Sequence, residues 1–274
     1  MTTATAPDLT ARPARPELRV TTRRVFTSEW IKFWSLRSTA YTLIGAVVAL
    51  VGFGLIAASV TAGGETFQGP GEGVADSTGI SLAGTELAQL VVGALGVLLT
   101  ATEYSTGLIR STLAAVPRRL PVLWAKAAVL AAVLVPLGTV AVFSAFFAGQ
   151  AILGSDGASV TDPGVLRAVI GAVVCLTGIA LMGMALGALL RHTASAVTIL
   201  FAALWVVPGL LQIALPDSWN DTIGPYLPSN AGSAFMTVAP GSDLLSPWAG
   251  LAVFAGLLAV LLGTAALQLN RRDA

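Results

Sequence analysis

The charged residues with which this chain could do chemistry gather in two stretches, SEWIKFWSLRSTAYTL at 28–43 and EYSTGLIRSTLAAVPRRLPVLWAK at 103–126. In the first, Glu29 and Lys32 stand three residues apart among Trp30, Trp34 and Arg37. In the second, Glu103 and Tyr104 are followed by Gly107, Ile109, Arg110 and Leu113, then by Pro117, Arg118, Arg119 and Lys126. Carboxylates and cations at helical spacing make ion pairs, with each other or across an interface. As a helix pair alone, Glu29 and Lys32 contribute only about 0.2–0.5 kcal/mol. Contact with a neighbouring span or a partner protein is the better reason for them.

The chemistry of an energy-consuming enzyme is missing. A phosphate-cradling loop reads G-x-x-x-x-G-K-[ST], and neither of the chain's lysines, Lys32 and Lys126, follows a glycine. No Ser/His/Asp constellation or H-E-x-x-H motif stands out. His192 and Cys175 are each the only residue of their type, too few for a metal set or an internal disulfide. The reading is therefore of a chain that is not an enzyme and binds no cofactor itself. Glu86, Glu103, Lys126 and His192 are all expected at span ends, with Gln150 and Gln212 near outer ends. Intramembrane ionisable groups mark relays and ion paths, so ion-driven transport is disfavoured.

The elements that position these residues follow from hydropathy. Of 274 residues, 55% are hydrophobic and 11% charged, and the mean hydropathy is +0.82. So few charges cannot cover a soluble domain, and the chain reads as an all-α polytopic membrane protein. A hydrocarbon core of ~30 Å needs about 20 apolar residues per helix, and six runs qualify: 39–60, 80–102, 127–153, 168–190, 194–215 and 248–269. In the second, the uncharged part from Leu87 covers only about 24 Å at helical rise. Glu86 is accordingly expected at the outer interface. Residues 1–19, rich in Pro and Arg, read as a disordered tail. Residues 20–38 read as an amphipathic helix lying in the membrane plane, its aromatic side at the headgroups and Arg23, Arg24, Lys32 and Arg37 reaching phosphates.

Basic residues next to spans stay on the cytoplasmic side. With both termini inside, fourteen of the fifteen Lys and Arg residues fall there and only Arg167 lies outside. This topology makes 103–126 a cytoplasmic loop and 270–274 a cytoplasmic C-terminus. The basic face meets anionic headgroups, which removes any need for nucleic acid. The external stretch 216–247, with small and apolar residues between prolines, is read as short helices dipping into the outer leaflet.

The two charged stretches resemble the permease subunits of bacterial type-2 ABC transporters, an exporter family. Glu29, Lys32, Leu36, Arg37 and Ser38 match its Glu-x-x-Lys and Leu-Arg-Ser before span one. Glu103, Tyr104, Gly107, Ile109, Arg110, Thr112, Leu113, Pro117, Arg119 and Lys126 match its loop after span two. The resemblance implies a permease pairing with a second permease subunit, as homodimer or heterodimer, in the bacterial cytoplasmic membrane. It also implies a separate ABC ATPase dimer beneath, holding ATP and Mg.

The loop's own pattern agrees: Ile109, Leu113, Val116 and Leu120 share a helix face for docking, and Pro117 ends that helix. Glu103 and Arg110, a heptad apart, are expected to pair with each other or with the ATPase. The cargo expected is amphipathic, lipid-like or drug-like. A non-transporting immunity or regulatory subunit that holds an ATPase is the alternative reading.

Overall fold

Small residues decide how these helices meet. The computed structural model describes residues 21–65, 76–109, 120–214, 216–239 and 244–271. The tail at 1–19 and the expected docking residues Arg110, Leu113, Val116, Pro117, Arg118 and Arg119 lie outside them.

The described residues form helices joined by turns, with no strand among them. α1 (Thr22–Ser35) ends where Leu36 turns extended, and Arg37 opens α2 (Arg37–Ala62), earlier than the boundary expected after residue 38. There follow α3 (Ser77–Ser81), α4 (Thr85–Ser105), α5 (Leu120–Leu153) and α6 (Val165–Leu190). The next span is composite: α7 (Thr193–Phe201), a π-helical turn (Ala202–Val206) and α8 (Val207–Ala214). α9 (Asp217–Ile223), α10 (Pro228–Met236) and α11 (Pro247–Arg271) complete the chain. Six of these units are long and apolar enough to cross a membrane.

α6 is the central post. In its most apolar stretch 78% is buried, against 17% for both the composite span and α11. Its glycines admit backbone from neighbours: Gly183 lies against the Gly93 carbonyl and Gly187 against the Val97 carbonyl, while Gly96 of α4 meets the Ala180 carbonyl. At that contact Thr100 donates to the Met184 carbonyl at 2.9 Å. Close approach of small residues is the main source of helix association where lipid is as apolar as the side chains.

The second span departs from expectation. It is not one helix over 80–102 with Glu86 at its outer edge. α3 and a turn at 82–84 descend between α2 and α5, and α4 opens only at Thr85. Ser81 packs on Gly54 and Gly149, and Gly84 sits directly on the backbone of Leu50, the midpoint of α2. Glu86 therefore lies about half-way along the bundle, two residues beyond that contact. The irregular backbone is satisfied from within the protein, as it must be at such depth. Gln150 donates to the Ser77 carbonyl at 2.9 Å and to Ser81 Oγ at 3.0 Å, and accepts from the Ala158 N–H at 2.6 Å.

At the same end, α10 packs on Gly171 and Cys175 of α6 and against Gly250 of α11. Arg167 secures it. Its guanidinium donates to the carbonyls of Phe235 (2.7 Å), Thr237 (2.9 Å) and Val238 (3.1 Å), the open C-terminal acceptors of α10. Arg167→Ala is expected to weaken this end by about 1.5–3 kcal/mol. Amide exchange should accelerate across 228–238 and remain unchanged at the α1 end.

Candidate functional site

Val25, Glu29 and Phe33 recur every four residues on α1, and all three are buried, Glu29 to 3% exposure. A carboxylate so placed is costly unless it is paired. α1 lies against the start of α5, where Val25 meets Val122 and Ala125. One residue further, Lys126 turns into the contact, 4% exposed. The last turn of α4 brings Glu103, also buried.

These helices close a four-membered ionic ring. Lys126 Nζ stands 2.6 Å from Glu29 Oε2 and 2.7 Å from Glu103 Oε1. Lys32 Nζ stands 2.8 Å from Glu29 Oε1 and 3.3 Å from Glu103 Oε1. Two anions and two cations cancel, so the buried group is formally neutral. Glu103 Oε2 is buried without a hydrogen-bond partner among the described residues.

Lys32, expected either to reach lipid phosphates or to contact a neighbouring span, is turned towards the carboxylates of Glu29 and Glu103. Burial pulls its pKa down, but hydrogen bonding and attraction from Glu29 and Glu103 outweigh that and lift it above the ordinary value. A raised folded pKa gives stabilisation that is fully present below the unfolded value near 10.5 and is lost as pH climbs through the higher folded value. Lys32→Ala should therefore melt below wild type throughout the neutral range. The gap should close only in strong alkali, as read by thermal unfolding in detergent.

The remaining expected residues surround the ring. Trp30 and Trp34 are exposed; Phe26 stacks on Trp30 and Trp34 meets Trp30 edge-on, both at centroid spacings of 6.2 Å. α1 thus buries the stripe of Val25, Glu29 and Phe33 and shows an aromatic one, which is the side suited to headgroups. Arg37 is exposed at the head of α2. Tyr104 lies under the guanidinium of Arg191, 5.0 Å from its ring centroid, which ties the end of α4 to the end of α6. Gly107 turns the chain after α4 with φ +74° in open space, so conformation and not crowding requires glycine there. Ile109 beyond it is buried. His192 caps the next helix, its Nδ1 accepting from the Ser195 N–H at 3.5 Å.

The pairing of Glu103 with Arg110 lies outside the described residues, whereas Lys126 and Lys32 are its partners within them. Lys126 was matched only as part of the loop's resemblance. A sequence signal for its role existed: Lys32 and Lys126 are the only lysines in the chain, set against thirteen arginines, and both enter this ring.

The ring holds no nucleophile or metal set. It joins α1, α4 and α5 at the two flanks of the loop. No family model matches the chain, and no curated protein matches it.

Proposed function

We propose that the chain is the membrane-spanning permease subunit of an ATP-driven exporter. ATP and Mg are held by a separate ATPase dimer, a second permease subunit completes the path, and the cargo is amphipathic, lipid-like or drug-like. The observation that carries this reading is the buried ionic ring. Replacing such a ring with apolar side chains is often neutral or stabilising, so stability is a poor reason to keep it.

Its effect is mechanical. It joins α1, the exit of α4 and the entrance of α5 into one body on both sides of residues 110–119. The excess of basic residues assigns this end to the cytoplasm. Force applied to the loop by an ATPase is then passed to two spans at once, and Tyr104 with Arg191 extends it to α6.

The experiment is ATP-dependent efflux in inverted vesicles that hold this chain with an ATPase subunit that co-purifies with it. Efflux that needs both subunits and hydrolysable ATP supports the reading. Hydrolysis stimulated without efflux of any cargo overturns it in favour of a regulatory or immunity subunit. Arg110→Glu is expected to leave insertion intact, leave hydrolysis running and abolish coupled efflux. Normal efflux by that variant removes the loop from the mechanism.

A further inference from the structure

Glu86 is a carboxylate at mid-depth in a bundle whose other described charged side chains lie near its ends. Its level is fixed by Gly84, which rests on the midpoint of α2. It is equally fixed by the composite span, where Trp205 lies beside the Glu86 side chain. Gln89, one turn on and 5% exposed, donates to Glu86 Oε2 at 2.5 Å. Glu86 also stands in the first turn of α4, where the helix dipole favours negative charge.

Gln89 and a helix N-terminus thus hold the Glu86 carboxyl group in place, and among the described residues no Lys or Arg forms an ion pair with it. Arg167 is engaged with α10 and Lys126 with the ring. The Glu86 side chain is only partly covered, and Trp205 beside it is 42% exposed on the least enclosed side of the bundle.

A charged group at bilayer mid-depth costs about 2.5–3.5 kcal/mol and does not face lipid tails. It faces the bundle interior, a cavity or a ligand. Trp205 lies in the π-helical turn Ala202–Val206, a local widening that re-aims side chains and often marks a working site. A carboxylate next to an indole is the chemistry that recognises a bulky organic cation, through charge and cation–π attraction together.

We propose that Glu86, Gln89 and Trp205 form a mid-membrane binding site for a lipophilic monovalent cation. Its role as a cargo site rests on the exporter reading, while the binding does not.

The probe is radiolabelled tetraphenylphosphonium, bound to the purified full-length chain in nanodiscs with triphenylphosphine oxide as the neutral control. Saturable binding above that of empty nanodiscs is expected. Glu86→Gln should weaken it at least tenfold, Trp205→Ala should weaken it severalfold, and Trp205→Phe should keep part of it. Glu86→Gln keeps shape and removes a costly charge, so its melting temperature should not fall below wild type, which separates lost binding from lost folding.

Binding no greater than in empty nanodiscs overturns the proposal, as does equal affinity in Glu86→Gln or equal binding of the neutral control. Loss of ATP-driven efflux in Glu86→Gln with phosphonium affinity unchanged also overturns it, and assigns the carboxylate to proton transfer or subunit contact. Binding intact in a chain that never exports with its ATPase leaves the site standing and removes the exporter reading.

Discussion

Lys126→Met should destabilise the protein by about 3–5 kcal/mol, the effect of leaving a buried charge without its partner. Lys126 is the cation closest to both carboxylates, at 2.6 Å and 2.7 Å, and is 4% exposed, so water cannot take its place. Its removal leaves Glu29 and Glu103 buried with Lys32 alone, at a net charge of −1. α1 should then detach from α5, exposing Val25 and Phe33. The measurements are thermal unfolding in detergent and proteolysis at α1.

The decisive comparison is the triple variant Glu29→Gln, Glu103→Gln and Lys126→Met, which leaves the part-exposed Lys32 as the only charge of the ring. If the ring serves only stability, the triple variant should recover most of the loss and export normally. If it transmits force from the loop, stability should return while efflux per ATP hydrolysed stays low. A triple variant that is both stable and fully coupled would refute the clasp mechanism proposed for this end.

The lever arm was partly legible in the sequence. The six spans were, because continuous apolar runs of this length have few other uses. Glu29, Lys32 and Glu103 stood out by type and spacing, but their common partner did not. Lys126 is 97 residues from Glu29 and 23 from Glu103, and only the packing of α1 on α5 brings the three together. The aromatic side of α1 was legible for the same local reason that its buried side was not. Rings at helical spacing announce an interface, whereas a lone carboxylate on the opposite stripe reads as solvent-facing until a neighbour covers it.

The second span misled for a physical reason. Residues 79–84, GISLAG, are apolar or small and join smoothly to the run that follows, so hydropathy extends the helix upward. What ends it is steric fit between glycines on three helices, a tertiary fact with no local signature. Glu86 moved from the edge to mid-depth as a consequence.

That steric fit supplies the second large effect. At Gly84 a Cβ would fall on the backbone carbonyl of Leu50, with the carbonyl carbon and Cα of the same residue close behind. No rotamer relieves a clash with backbone, so α2 and α4 must separate. Gly84→Val should cost at least the 1–3 kcal/mol typical of overpacking and remain poorly folded in detergent.

Gly84→Ala, milder, should fold and still shift α4 relative to α2, which moves Glu86 away from Trp205 and lowers phosphonium affinity without touching either residue. Gly52 on α2 is the control, since nothing lies within 4 Å of a Cβ placed there. Gly52→Ala should be neutral or stabilising by up to about 1 kcal/mol through helix propensity. Equal melting of the Gly52 and Gly84 alanine variants would mean that the turn at 82–84 does not rest on α2. Unequal melting with unchanged binding would mean that Glu86 keeps its position independently of that contact.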